Sequence, residues 1–393
     1  MTLDLAQLLP QVSQLATDAA DRAADRNRRL PEAGRALEAA ARLDPQALLD
    51  RIGRAGTRWR GARPTDEPVG AAYPAPPHPE RLHVVGADGS QVLPDRHAIA
   101  SFYLINIGSL HLIHGSGEPP QVASRPSLHF RDEDLYDETL LPIDAALVAG
   151  RRDAAEMGEL ARLSDSCRGE PALTLLDNAL LLWVALQERD QRRHAVDRIL
   201  QAYLTEMGHL QQSGAALAGF VDRPGSVNAL ALVHLAGLPL DSVNPESLQA
   251  NPFRRLLDRD LFAQRLQPGE RTARFASTSP LNADFHKRGQ EIQFFYLHTG
   301  YQNQIARVEV PEWVGQDSRR LGWVHAGILE QCRTTGIPYP LVRAHELAVV
   351  AQADRAALEQ LLQAALLRAG LRPHISQKAQ TKRWTAQRRR HRL

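Results

Sequence analysis

Short apolar runs alternate with stretches of helical spacing along this chain of 393 residues. Runs rich in β-branched and aromatic residues predict strands, and they cover 82–85, 100–107, 172–176, 215–221, 273–278, 290–298 and 305–310, with shorter candidates at 110–113 and 339–342. Apolar residues three and four positions apart predict helices, and these cover 142–167, 187–212, 226–235, 253–266, 312–335 and 351–369. Strands that alternate with long helices indicate an α/β domain. We expect a mixed sheet flanked by helices, because its first strands read as a hairpin.

Both ends of the chain differ in composition from this α/β part, which we place at 81–370. Residues 1–56 predict a helical arm of two amphipathic helices broken near Leu30-Pro31, which either packs on the main domain or serves as a docking or dimerisation element. Residues 57–80 are rich in proline and predict an extended linker. The segment 371–393 holds eight Lys or Arg and no acid, so we expect a flexible basic tail that contacts a nucleic-acid backbone or only keeps the protein soluble.

Acidic residues follow two of the predicted strands. Asp88 stands in Asp88-Gly89-Ser90, after the strand 82–85. Asp-Gly between apolar runs is a typical hairpin turn without chemistry, but a carboxylate at the rim of a sheet can also hold a divalent cation. Asp177 follows the strand 172–176 and either closes a turn or serves as a ligand. Glu156 and Glu159 lie on the helix between the two aspartates, where most glutamates are only solvated surface.

Composition excludes several classes of protein. The formal charge is +2, so net charge does not indicate a nucleic-acid binder, and a basic channel would need dispersed residues such as Arg96, Arg223, Lys287 and Arg288. The two cysteines have no metal-site spacing, which indicates neither a disulfide framework nor a structural zinc site and fits a reducing cytoplasm.

Nothing in the sequence predicts membrane insertion or a nucleotide site. We find no secretory signal at the N-terminus and no apolar run near the roughly 18 residues that a membrane span needs. GxxxxGK[ST] and GxGxxG motifs are missing from the sequence, so we expect any ATP hydrolysis to belong to a partner.

The dispersed acids suit metal-assisted phosphodiester hydrolysis. Two divalent ions can activate water, neutralise the phosphate and stabilise the leaving oxygen, and Mg²⁺ or Mn²⁺ prefers carboxylate oxygens. Asp88, Asp177, Glu156 or Glu159, and His345 near the C-terminus could form such a site. This set is consistent with an RNase H-like site, in which strand ends and flanking helices bring acids together.

From about His83 to Gln352 the chain resembles the NurA nuclease family. The matching strings, in order, are ADGSQ, RRDAAEM, LLDNALLLW, AGFVDRP, FFYLHTG, IARVEVPEWV and AHELAVV. The resemblance implies an RNase H-like fold and a Mn²⁺-dependent nuclease that acts on DNA ends, with Mg²⁺ as a possible substitute. It also implies a homodimer that works with a hexameric HerA-type ATPase in double-strand break processing.

The same resemblance suggests roles for individual residues. Asp88 matches the aspartate of the DGS motif, Asp177 the aspartate after the second apolar strand, and His345 the histidine of AHE. The context RRDAAEM favours Glu156 as the helix glutamate, with Glu159 as the alternative one turn away. In this reading the three acids bind metal, and His345 contacts the scissile phosphate or assists proton transfer.

Two departures from the family pattern bear on activity. Asn178-Ala179 follow the second aspartate in place of Gly-Ser or Gly-Pro, and Ile337 stands where the family has a tyrosine. Ile337 cannot donate a hydrogen bond, and Tyr339 is the nearest substitute. The competing hypothesis is therefore a weakly active or inactive DNA clamp or scaffold for the ATPase. A metal-independent hydrolase using Ser90 is a third class, although no GxSxG elbow supports it.

Overall fold

The computed structural model describes residues 4–94, 100–187 and 192–371. Its α-helices are α1 (Leu9–Ala41), α2 (Pro45–Ala55), α3 (Asp132–Leu135), α4 (Ala145–Ser164), α5 (Val184–Gln187), α6 (Arg193–Ser213), α7 (Asn228–Gly237), α8 (Pro245–Gln249), α9 (Asp258–Phe262), α10 (Pro280–His286), α11 (Glu312–Gly315), α12 (Ser318–Cys332), α13 (Tyr339–Ala348) and α14 (Gln352–Arg368). The strands are β1 (Ala62–Pro64), β2 (Ala72–Tyr73), β3 (Leu82–Val92), β4 (Tyr103–His114), β5 (Gln121–His129), β6 (Ala172–Leu176), β7 (Ala216–Val221), β8 (Arg271–Thr272), β9 (Phe275–Ser277), β10 (Ile292–His298) and β11 (Ile305–Pro311). Short 3₁₀ turns cover Leu5–Leu8, Asp165–Cys167 and Leu240–Ser242.

The fold divides into two compact units. The described parts of Met1–His78 and Gly219–Ile337 form unit 1, and those of Pro79–Ala218 and Pro338–Leu393 form unit 2. Within these described ranges, none of the helices is both long and apolar enough to cross a membrane. The described part of the predicted arm therefore belongs to the same compact unit as residues 219–337. The domain boundaries at 56, 80 and 370 remain predictions.

Unit 2 is built on a mixed sheet in the order β5-β4-β3-β6-β7. Only the first residues of β7 belong to this unit. β3, β4 and β5 pair antiparallel, whereas β6 pairs parallel to β3 after the chain has passed through α4. Helices α4 and α13 both pack against β3. Successive residues of a strand point to opposite faces, and Gly89 approaches α4 whereas Gly86 approaches α13, so the two helices cover opposite faces. The predicted mixed sheet flanked by helices is confirmed.

The hairpin turn expected at Asp88-Gly89 is wrong. β3 continues from Leu82 to Val92, and every residue in it has a partner on β4. A tight Asp-Gly turn needs a positive φ at glycine, which Gly89 does not have. The predicted strands 100–107 and 110–113 fall in the single strand β4, and β5 lies in a segment for which no strand was predicted. Cross-strand pairing over eleven residues outweighs the local turn preference.

The strand expected at 339–342 is also wrong, because Tyr339–Ala348 form α13. Pro340 lies in the first turn of this helix, where a missing backbone N–H costs nothing. Only Pro340 and Leu341 of the run that suggested a strand are buried, and together with Ala344 and Ala348 they form the buried face of the helix. This difference matters for the site, since α13 carries His345.

Unit 1 has the strand order β1-β9-β10-β11-β7, with β2 joined through β8 to β10 and the last residues of β7 at the edge. The later part of α1 and α2 pack on α7 in one apolar cluster, which includes Leu30, Leu37, Leu48, Leu230 and Val233. Packing, rather than docking, therefore accounts for this part of the arm.

Two expectations about the N-terminal part need correction. α1 runs without interruption through Pro31, and the break between helices lies after Ala41. A proline removes one backbone hydrogen bond, and burial of the neighbouring Leu30 and Ala33 offsets that loss. The proline-rich segment is extended but not merely a linker, since β1 and β2 join the sheet of unit 1 and Glu67 forms an ion pair of 2.8 Å with Arg271.

A buried histidine makes the stability of unit 1 depend on pH. His325 on α12 is 2% exposed, and its Nε2–H donates to the carbonyl oxygen of Gly269 at 2.8 Å. Burial lowers the pKa of His325 from 6.5 to about 4, because the charged imidazolium loses its hydration. The folded pKa lies below the unfolded one, so this stability is present above pH 6.5 and is lost as the pH falls towards 4.

We expect the free energy of unfolding to fall by about 2 kcal/mol between pH 7 and pH 5 through this residue alone, at about 1.4 kcal/mol for each pH unit below the unfolded pKa. Urea unfolding at both pH values measures the loss. His325→Gln keeps an N–H donor without a titrating ring. The fall in its free energy of unfolding between the two pH values should therefore be smaller than that of the wild type by the contribution of His325. Equal losses in the two proteins would contradict the assignment.

Candidate active site

Two aspartates lie at neighbouring positions on paired strands of unit 2. The last parallel pair is Ala87 with Leu176, and the next residue on each strand is Asp88 or Asp177. Paired strands lie about 4.8 Å apart. The fold therefore brings the two carboxylates, 89 residues apart in sequence, together at the C-terminal end of β6. Asp177 is exposed, and the side chain of Asp88 retains 17% of its accessible surface.

His345 joins this pair from α13. Its Nδ1 lies 2.7 Å from Oδ2 of Asp88, while Oδ1 of Asp88 accepts from the backbone N–H of Gly89 at 2.8 Å. When Nδ1–H donates to Asp88, a neutral imidazole keeps its lone pair on Nε2. The side chain of His345 is 64% exposed, so the aspartate orients a histidine that solvent reaches.

Glycines allow α13 to approach the sheet closely enough for this contact. A Cβ on Gly108 would lie 2.2 Å from the carbonyl oxygen of Ala344, and one on Gly86 would lie 2.7 Å from the carbonyl carbon of Pro340. No side chain fits at either position. At the end of α13, the carbonyl oxygen of Ala348 accepts from Nδ2 of Asn106 at 2.9 Å and from Oγ of Ser90. The helix is thus held at both ends against β3 and β4.

Glu156 approaches the same strand from α4, on the opposite face of the sheet. The residue is 6% exposed, and its Oε1 would lie 2.6 Å from a Cβ on Gly89. Arg152 Nε lies 3.1 Å from Oε1, but the contact lacks hydrogen-bond geometry, and Oε1 has no hydrogen-bond partner among the described residues. A buried carboxylate oxygen without a donor is costly.

Other acids add to that cost. Burial raises the pKa of Glu156 well above 4.5, and the negative charge of Asp153 raises it further. Asp88 and Asp177 act in the same direction, against the opposing charge of Arg152. We refer to Asp88, Asp177 and Glu156, which are coupled through their charges, as the acidic cluster.

Asp153 belongs to this cluster, although the sequence reasoning missed it. It lies one helical turn before Glu156, and its pKa is raised by burial and by the charge of Asp88. Nη2 of Arg152 lies 2.7 Å from Oδ1 of Asp153, and its positive charge partly offsets the rise in the pKa of Asp153. Its i, i+3 spacing from Glu156 was the available signal.

Glu159, the alternative helix glutamate, has a different environment. Its carboxylate accepts from Ser109 Oγ at 2.7 Å, from Arg125 Nε at 3.2 Å, and from Arg162 Nε at 2.8 Å. Burial alone would raise the pKa of Glu159, but the hydrogen bonds from Arg162 and Ser109 lower it overall. Of the two glutamates, Glu159 is satisfied by protein donors, whereas Oε1 of Glu156 has no hydrogen-bond partner among the described residues.

The residues considered for a basic channel belong to unit 1 or fall outside the described residues. Arg96 falls in the segment 95–99, which the structure does not describe. Arg223, Lys287 and Arg288 are exposed residues of unit 1, whereas Asp88, Glu156, Asp177 and His345 belong to unit 2. Ile337 lines a cavity of about 550 Å³ in unit 1 together with Arg223, and Tyr339 is 43% exposed at the start of α13.

A second group of possible metal ligands was missed entirely. His83, His111 and Cys167 are buried in unit 2, and one ligand atom from each lies within 4.8 Å of the others. The expectation that the cysteines lack metal-site spacing considered the sequence alone. The two strands and the turn after α4 bring these residues together in space.

No curated protein sequence matches the chain. Solved structures with similar folds include the NurA nuclease from Sulfolobus solfataricus, which is 13% identical, with 73% of this chain and 85% of that chain covered and a TM-score of 0.45. A NurA structure bound to dAMP and manganese is 11% identical, with 92% and 98% covered and a TM-score of 0.41. The catalytic domain of human endonuclease V is 14% identical, with 81% and 98% covered and a TM-score of 0.31.

The family model for the NurA domain matches residues 82–350, which contain the four site residues predicted from the sequence. The match covers well over half of the chain. This protein therefore belongs to the NurA domain family.

Proposed function

We propose that this protein is a metal-dependent nuclease that hydrolyses phosphodiester bonds in DNA, with Asp88, Glu156 and Asp177 as its metal ligands. The observation that carries the proposal is the acidic cluster on α4, β3 and the end of β6. Its members come from three separate elements, and one of them is a buried carboxylate with an unsatisfied oxygen. A structural ion pair would satisfy that oxygen, as it does at Glu159.

The cluster suits a hard divalent cation. Carboxylate oxygens are the ligands that Mg²⁺ and Mn²⁺ prefer, and a cation offsets the repulsion that raises the pKa of Glu156. Known NurA structures hold manganese and dAMP, so we take Mn²⁺ as the ion, Mg²⁺ as its possible substitute, and DNA as the substrate. When bound, such a cation neutralises phosphate charge and lowers the pKa of bound water.

The protein residues around the cluster have separable roles. Asp88 holds His345 through Nδ1, which leaves Nε2 to contact the scissile phosphate or to carry a proton. Asp153 adds negative charge beside Glu156, and Arg152 balances part of it. Gly89 allows the carboxylate of Glu156 to reach the strand.

Finer parts of the proposal rest on the family resemblance. We propose that the enzyme acts on DNA ends during double-strand break processing in the cytoplasm, as a homodimer that works with a HerA-type hexameric ATPase. Exonuclease action, together with single-strand endonuclease action, is part of this proposal. The competing function is a DNA-binding scaffold for the ATPase, and Ile337 in place of tyrosine is the observation that favours it.

Asp88→Asn should reduce cleavage of end-labelled linear DNA in Mn²⁺ by about 100-fold or more, because it removes a metal-binding charge worth several kcal/mol in the transition state. Parallel reactions with Mg²⁺ and EDTA measure metal dependence. The matched control is Asp165→Asn, an exposed aspartate after α4 that pairs only with Arg168 among the contacts described.

Full activity in EDTA, or unchanged activity in Asp88→Asn, would overturn the nuclease site proposed here. Absence of cleavage by the wild-type protein, even with a HerA-type ATPase added, would favour the scaffold. Ile337→Tyr then tests whether the missing hydroxyl is responsible.

Glu156→Gln should separate the two helix glutamates. In EDTA we expect the variant to unfold at a higher temperature than wild type, because a buried carboxylate near other acids is removed. Added Mn²⁺ should raise the melting temperature of wild type more than that of the variant.

Glu159→Gln provides the comparison. It weakens ion pairs with Arg125 and Arg162, so its melting temperature should fall while its response to Mn²⁺ stays that of wild type. The reverse pattern, with the Mn²⁺ response lost only in Glu159→Gln, would reassign the ligand.

A further inference from the structure

Two histidines and a cysteine meet inside unit 2, away from the acidic cluster. His83 on β3 and His111 on β4 are diagonal neighbours, because His111 pairs with Val85. Their rings stack with centroids 5.1 Å apart, and Nδ1 of His83 lies 2.9 Å from Nε2 of His111. Cys167, in the 3₁₀ turn after α4, places its Sγ 3.7 Å from the same Nε2.

All three side chains are shielded from solvent. His83 and His111 are each 6% exposed, and Cys167 is 2% exposed. Nε2 of His83 has no hydrogen-bond partner among the described residues. Nε2 of His83 stays unpaired whether His83 or His111 donates the hydrogen bond between the two rings. Neighbouring protein groups therefore do not satisfy the cluster. A buried polar network with an unsatisfied member costs stability.

The donor set is one that zinc prefers. Imidazole nitrogen and thiolate sulfur together select Zn²⁺ over Mg²⁺ or Mn²⁺, which prefer oxygen. In a tetrahedral zinc site, with bonds of about 2.0–2.3 Å, ligand atoms lie about 3.3–3.6 Å apart. The observed distances of 2.9 Å and 3.7 Å lie on either side of this range, and the three ligand atoms all lie within 4.8 Å of one another.

Burial leaves the two histidines in the form that binds metal. It lowers the pKa of both histidines, most directly by removing hydration, and so favours the neutral imidazoles that bind metal. Burial raises the pKa of Cys167, and its Sγ–H, a weak donor, lies 3.6 Å from the carbonyl oxygen of Leu163. Metal binding would release that proton as the thiolate forms.

We propose that His83, His111 and Cys167 are the three protein ligands of a buried zinc ion. The site joins β3, β4 and the end of α4. Asp88 lies five residues along β3 from His83, or roughly 16 Å at the usual rise of a strand, so this centre is separate from the acidic cluster. Its role is to fix α4, which carries Glu156, against the strand that carries Asp88.

Metal analysis tests the proposal directly. The full-length chain, with any affinity tag removed and purified without chelators, should contain about one zinc per chain. Cys167→Ser should lose most of it. Cys332→Ser is the matched control, because Cys332 is equally buried but belongs to unit 1.

Cobalt supplies a second readout that does not depend on whether Cys167→Ser folds. Co²⁺ added to the zinc-depleted chain should produce a thiolate-to-cobalt charge-transfer absorption. The chain has only two cysteines, so retention of this band in Cys332→Ser assigns it to Cys167. Asp88→Asn should also keep the band.

A wild-type chain without zinc and without a thiolate–cobalt band would overturn the proposal and leave a hydrogen-bonded cluster. Loss of the band in Cys332→Ser, or zinc content unchanged in Cys167→Ser, would also overturn it. None of these measurements depends on nuclease activity, so failure of the proposed function leaves this test intact.

Discussion

Parallel pairing of β3 with β6 is the constraint on which the candidate site depends. It aligns Ala87 with Leu176, so the residues that follow them, Asp88 and Asp177, lie side by side at the C-terminal end of β6. A slip of one residue would turn either aspartate to the other face of the sheet. The strands are fully buried up to this point, so burial of their apolar side chains stabilises the register that brings the two charges together.

Close contact between backbones places the remaining parts of the site. Gly86 and Gly108 allow α13 to approach one face, which brings His345 to Asp88. Gly89 allows the carboxylate of Glu156 to approach from the other face. A side chain at Gly86 or Gly108 would displace α13, and one at Gly89 would meet the carboxylate of Glu156. The geometry of the site is therefore distributed over positions that carry no chemistry of their own.

The two glutamates of α4 show how one helix separates structural from chemical roles. Glu159 has a full set of donors, and its charge is stabilised where it lies. Glu156, one turn away, lies among acids and has an oxygen without a donor. Stability alone would not favour that arrangement. Functional sites are where such local costs are expected, because the fold elsewhere offsets them.

Sequence by itself determined which segments are apolar enough to form β6, β7, β10 and β11, the helical periodicity of α4 and α6, and the presence of acids after two strands. It also carried the family resemblance. These features are local, or they depend on the order of short strings. They were sufficient to predict a mixed α/β fold and to name residues from which the acidic cluster is built.

Tertiary structure decided what depends on contacts between distant segments. Pairing with β4 keeps Asp88-Gly89 extended, although the local preference is for a turn. Residues 339–348 form a helix, packed closely on Gly86 and Gly108, that carries His345. The three-dimensional environment adds a physical difference between Glu156 and Glu159 to the one suggested by the family resemblance. Asp153 and the cluster of His83, His111 and Cys167 became visible for the same reason: burial and charge are set by neighbours in space, and sequence spacing does not record them.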